Sequence, residues 1–113
     1  MIVKKKGKYG AKKCFIGAQR FDSKAEGKRA NELMLEALAG TITDLRFQVA
    51  YALAPAVVIN GRRKPPLRYV ADFVYIRDGV EVVEDVKGML TAVYRIKRHL
   101  MKSVHNIDIL ETK

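Results

Sequence analysis

Apolar positions along the chain change their period several times, and each change marks an element. Ser23-Lys24-Ala25-Glu26 has the Ser-x-x-Glu spacing of a capping box, and good helix formers continue from it to Gly40. This predicts a helix from Lys24 to Ala39 whose buried stripe is Ala30, Leu33, Met34, Ala37 and Leu38. Leu45 to Tyr51 then alternates and is rich in β-branched and aromatic residues, which predicts the first core strand. Pro55, Asn60-Gly61 and Pro65-Pro66 punctuate a looped excursion, in which Val57-Val58-Ile59 reads as a small ribbon ending at Arg62-Arg63-Lys64. Tyr69 to Ile76 and Val80 to Lys87 are strands about Asp78-Gly79, a two-residue hairpin signal. Thr91 can cap a second helix that ends at Asn106. Its Val93, Ile96, Leu100 and Val104 share one face, and Arg95, Arg98 and Lys102 share another. Ile107 to Leu110 reads as a last short strand.

Ahead of the first helix, Cys14-Phe15-Ile16 and Gln19-Arg20-Phe21 form a short hairpin about Gly17-Ala18. The chain therefore divides into a basic N-terminal arm with a short hairpin, 1–22, and a core, 23–113. The order of the core elements is α-β-β-β-α-β. That is one α/β domain with a mixed sheet flanked by helices, and 113 residues leave no room for a second.

Composition narrows the function. With 49% apolar residues spread along the chain, a folded globule is expected. No apolar run approaches the ~20 residues of a membrane span, and the basic N-terminus lacks the apolar core of a secretion signal, so a cytoplasmic location is expected. Cys14 is the only cysteine, which excludes an internal disulfide. Without a Cys pair, and with only His99 and His105, zinc-ligand spacing is absent. Any metal should be a hard one on carboxylates, and no small-molecule organic cofactor is expected. The net charge of +10 is unevenly placed. Lys4, Lys5, Lys6, Lys8, Lys12 and Lys13 precede the first acid, Arg62 and Arg63 sit in the excursion, and Lys97 and Arg98 lie on the second helix. Such clusters suit a phosphate backbone, so these residues are the candidate nucleic-acid contacts; the plainer alternative is a solubilising surface.

The hairpin carries the sharpest chemical inference. If Asp78-Gly79 are its two loop residues, Arg77 pairs with Val80, and Asp72 then lies directly across from Asp85. Opposed residues share a face with Cβ atoms ~5 Å apart, so two carboxylates meet and repel. A divalent cation reverses that sign, and two anionic oxygens suit magnesium. Lys87 projects from the same face as Asp85, and Glu84 from the other. An Asp/Asp/Lys cluster is equipment for hydrolysing a phosphodiester; the plain alternative is a pair of surface acids with Lys87 as their salt-bridge partner. A register slip of one residue would separate the acids. Glu26 likewise has two readings, as half of a capping box or as a third carboxylate that its helix stripe points toward the sheet. Gln48 reads as an outward-facing or satisfied amide, Tyr94 as core, Lys97 as a solvated or phosphate-contacting base, and the histidines have no telling partner.

Four blocks together carry a family resemblance: Lys8 to Lys13, Phe21 to Glu26, Tyr69 to Tyr75 and Val83 to Gly88. They resemble a small phage and prophage nuclease family long described as a domain of unknown function and grouped with Holliday-junction-resolvase-like PD-(D/E)XK enzymes. The resemblance covers nearly the whole chain, and it implies a restriction-endonuclease-like core. On that pattern Asp72 is the first acid, Asp85 and Lys87 form the (D/E)-X-K element, and Glu26 is the acid of the first helix, with Ala71 in place of the proline that sometimes precedes the first acid. The implied activity is magnesium-dependent DNA hydrolysis, with manganese able to substitute, leaving a 5′-phosphate and a 3′-hydroxyl. Asp72, Asp85 and Glu26 would hold the metal. A branched substrate in phage replication, recombination or packaging follows from the resolvase likeness, and a homodimer from the need for paired cuts with one centre per chain. Two rivals remain: a non-catalytic DNA-binding recombination accessory protein of the same fold, and a restriction-type nuclease. Fold alone does not choose among them.

Overall fold

The computed structural model describes residues 14–16, 19–21 and 23–113. The arm cations Lys4, Lys5, Lys6, Lys8, Lys12 and Lys13 lie outside the described residues. Strands β1 (Cys14–Ile16) and β2 (Gln19–Phe21) pair antiparallel as the short hairpin. Helix α1 (Lys24–Ala39) follows. Ser23 Oγ accepts the Glu26 N–H at its start, and Gly40 closes it in the left-handed conformation that favours glycine.

The principal sheet has four strands in the order β3 (Thr43–Ala54), β6 (Leu67–Arg77), β7 (Val80–Val86) and β8 (Leu110–Thr112). Its first three neighbours are antiparallel, and β8 runs parallel to β7, so the sheet is mixed. A separate ribbon, β4 (Val57–Ile59) with β5 (Arg62–Lys64), extends the β3–β6 pair. Helix α2 (Ala92–His105) precedes β8, starts on a Thr91 cap and ends at left-handed Asn106. The core order α-β-β-β-α-β is the expected one. Among the described residues no helix is long and apolar enough to cross a membrane.

The two helices cover opposite faces. Ala30 and Leu33 of α1 pack with Ile42, Phe73 and Tyr75, while Tyr94 and Met101 of α2 pack with Leu53, Tyr69, Val74 and Val83. Val74 sits between Phe73 and Tyr75 and points the other way, as pleating requires. Each fully buried Leu, Val or Phe in these layers contributes roughly 1.5–3 kcal/mol.

The alternation reverses part-way along two strands. Leu45 and Phe47 of β3, with Phe73 and Tyr75 of β6, belong to the α1 layer; Val49 and Tyr51, with Tyr69 and Ala71, belong to the α2 layer. All these positions are odd-numbered, so a regular pleat would keep them on one side. The reversal lies at Gln48 and Asp72, between the pairs Phe47–Phe73 and Val49–Ala71. Gln48 has a φ of 55°, a left-handed conformation rare inside a strand, and it gives the ladder the extra turn that exchanges faces.

Three differences from the sequence pattern have physical reasons. Of the expected α2 stripe only Leu100 packs against the core, while Val93, Ile96 and Val104 are all more than half exposed. The helix is rotated so that Tyr94 and Met101 face the sheet, because the Tyr94 hydroxyl and the Arg98 guanidinium both bind Glu111 on β8. Leu38 is exposed too, whereas Ala30 and Leu33 of the expected α1 stripe are buried, Met34 and Ala37 pack against their cluster, and the buried face extends back to Glu26 and Gly27. The last strand begins at Leu110, where the residues from Glu84 to Val86 supply its partners.

Candidate active site

Asp78 and Gly79 both have positive φ, as a type I′ turn requires, and this turn sets the register of β6 on β7. Pairing runs from Arg77–Val80 to Phe73–Glu84, and the next position along brings Asp72 to Asp85. The Asp72 Oδ2 accepts the Val86 N–H at 2.9 Å. Asp85 is 3% exposed, and its Oδ2 accepts the Tyr69 hydroxyl at 2.7 Å. Burial, a hydrogen bond to Asp85 and the charges of Asp85 and Glu26 push the Asp72 carboxyl up to about 8, against a smaller opposing effect of the Val86 N–H. Asp72 thus holds its proton more readily than a free carboxyl does, which eases the repulsion between the two acids.

Lys87 Nζ lies 3.4 Å from Asp85 Oδ2 and 4.3 Å from the centre of the Tyr94 ring. Its backbone N–H is tied to the Thr112 carbonyl, so strand pairing carries through to the lysine and holds it on the face of Asp85. Glu84 points to the other side. It is fully buried, accepts Arg29 Nε at 2.6 Å, the Tyr75 hydroxyl at 2.6 Å and Thr112 Oγ1 at 2.9 Å, and is a structural acid that ties α1 and β8 to the sheet.

Asp72, Asp85 and Lys87 line a cavity of about 350 Å³ together with Gln48, Tyr69 and Lys97. Glu26 is buried behind it, with Oε2 accepting Gln48 Nε2 at 3.0 Å. Burial, reinforced by Asp85, pushes the Tyr69 phenol far up, so it stays a donor to that carboxylate. Two carboxylates that meet beside an open cavity are the residues that could hold a divalent cation here. Among the described residues no group of three or more His, Cys, Asp or Glu side chains is placed to hold a metal ion.

Residues 6–110 match the family model described as Protein of unknown function (DUF1064). The chain belongs to the DUF1064 family. Neither a curated protein nor a solved structure matches it.

In this DUF1064 chain the fold brings Asp72, Asp85 and Lys87 together at one cavity and sets Glu26 near enough for its charge to act on Asp72. The candidate DNA contacts are dispersed. Lys97 borders the cavity, Arg98 is paired with Glu111 at 3.0 Å, and Arg62 and Arg63 stand on the exposed ribbon. Gln48, read from the sequence as an outward-facing or satisfied amide, is satisfied by Glu26 and lines the cavity, and Tyr69 is a site residue that the sequence did not single out. Neither residue type carries a chemical signature. For Gln48 the signal is the backbone conformation of a mid-strand residue, which only the fold reveals.

Proposed function

We propose that this chain is a metal-dependent DNA endonuclease with a PD-(D/E)XK-type centre. The observation that carries the reading is geometric: the hairpin register brings Asp72 and Asp85 together at one cavity, with Lys87 on the same face. Nothing in a structural role requires two carboxylates to meet in a half-buried cavity, where like charges cost stability. Asp72 and Asp85 would hold the cation, with Glu26 adding negative charge behind them. Magnesium, or manganese in its place, would supply positive charge at the scissile phosphate and a bound water of lowered pKa.

The side chains then divide the work. Tyr69 keeps one Asp85 oxygen occupied and fixes the carboxylate. Lys87, steadied between Asp85 and the Tyr94 ring, orients the attacking water or meets the charge that develops on the phosphate. Lys97 at the cavity mouth takes a neighbouring phosphate, and the arm and ribbon cations follow the backbone away from the cut. With one centre per chain, paired cuts in branched DNA call for a homodimer, and the exposed apolar face of α2 favours association. The setting is phage DNA replication, recombination or packaging in a bacterial cytoplasm.

Purified protein incubated with magnesium and linear, nicked, flapped and four-way DNA tests this directly. Metal-dependent cleavage, strongest on a branched substrate and absent for Asp85→Asn, is the expected result. Binding without cleavage of any of these would make the chain a DNA-binding accessory protein instead. Cleavage by Asp85→Asn at the parental rate would move the active site elsewhere.

A further inference from the structure

The β4–β5 ribbon pairs Val57 with Lys64, Val58 with Arg63 and Ile59 with Arg62. Every cross-strand pair joins a β-branched apolar side chain to a cation. One strand is wholly apolar and the other wholly basic. Opposed residues share a face, so both faces of the ribbon carry the same two rails. All six side chains are exposed, Val58 at 69%. Among the described residues Arg62, Arg63, Lys64 and nearby Arg68 enter no ion pair. No acidic residue occurs between Asp44 and Asp72. A two-stranded ribbon has no core of its own and is marginal in water, so bare valines and an isoleucine beside unneutralised cations suit a polyanion with an apolar floor.

We propose that this ribbon inserts into the major groove of duplex DNA beside the cleavage site. The groove is about 12 Å wide and admits a two-stranded β-ribbon. The basic strand β5 follows one phosphate backbone, and the apolar strand β4 lies against base edges and thymine methyl groups. Lys64 is separated from Asp72 by eight residues, at most ~26 Å of strand, which is less than the ~34 Å of one helical turn. The ribbon and the active site therefore engage the same duplex within one turn. No side chain on the apolar strand offers a hydrogen bond to a base, so the contact is tolerant of sequence. The proposal rests on the nuclease reading for the position of the cut, and not for the binding itself.

The test measures binding with the Asp85→Asn protein in chelator, so that cleavage does not interfere. In that background Arg62→Gln, Arg63→Gln and Lys64→Gln are combined in one variant, and Val57→Ser, Val58→Ser and Ile59→Ser in another. On duplex DNA the first should lower the slope of log affinity against log salt by ~2–3, one contact per cation removed. The second should weaken duplex affinity with the slope unchanged. Both should bind single-stranded DNA nearly as the parent does. Methylation protection of guanine N7, a major-groove atom, by the protein with its ribbon unsubstituted gives an independent readout, with protection expected that both ribbon variants lose. An unchanged slope, equal losses on duplex and single strand, preference for RNA, or no such protection would overturn the proposal. Should the ribbon results hold while the parental protein never cuts DNA with magnesium, the nuclease reading fails and the ribbon stands. If the parent cuts and the ribbon variants bind as before, the reverse is true.

Discussion

Replacing Asp72 with asparagine isolates the charge at the centre of the site. The folded chain holds the Asp72 carboxyl at about 8, against 3.8 as its ordinary value. A raised pKa means that the folded state binds the proton more tightly than the unfolded state, so stability is full below about pH 4 and is lost as pH rises through about 8. Over the interval from 3.8 to neutrality, at 1.36 kcal/mol per unit, the loss is about 4 kcal/mol, an upper bound because part of the side chain reaches solvent in the cavity. An asparagine carries no such penalty. Its Oδ1 still accepts the Val86 N–H, and its amide can donate to the facing Asp85 carboxylate. In chelator, Asp72→Asn should melt with the parent near pH 4 and above it at about pH 8, by ten degrees or so if even ~2 kcal/mol of the penalty is real. Excess magnesium should then raise the parent and leave the variant unmoved, so the gap narrows or inverts. Melting curves at several pH values, with and without metal, supply the comparison. A variant less stable than the parent at alkaline pH in chelator, or an offset equal at every pH, would refute a carboxylate pair under repulsion.

Lys87→Ala should abolish cleavage while calorimetric titration with manganese shows metal binding largely retained, because the lysine is assigned to water and phosphate. Glu84→Gln should do the opposite of Asp72→Asn: it removes the buried carboxylate on which Arg29, Tyr75 and Thr112 converge, so denaturant melts should show a loss of about 3 kcal/mol or more at neutral pH. Gln48→Gly keeps the left-handed backbone without strain but deletes the amide that holds Glu26; it should fold, be more stable than Gln48→Ala by about 1 kcal/mol, and share that variant's weakened metal affinity in calorimetry. Equal stability of the two would show that the left-handed backbone at residue 48 carries no strain.

Much of the architecture was legible because it is set by local chemistry. Ser23 and Gly40 bound α1, Thr91 and Asn106 bound α2, and Asp78-Gly79 defines the hairpin, since caps and type I′ turns need particular residues at particular dihedral angles. That turn also fixed the register, and with it the meeting of Asp72, Asp85 and Lys87, because pairing propagates from the loop one residue at a time. The rotation of α2 was decided only in three dimensions. Its apolar stripe pointed to Val93, Ile96, Leu100 and Val104, but Tyr94 and Arg98 found Glu111 on a strand that follows the helix, and the charge-assisted hydrogen bonds left only Leu100 of the four against the core. The face reversal at Gln48 and Asp72 was equally hidden. A period-two pattern assumes an unbroken pleat, and both strands break it together where two helix layers compete for their side chains. Composition and spacing therefore determine which elements form and which acids can meet; the packing of two layers on one sheet determines which way those elements face, because burial is a property of the whole assembly and not of any one segment.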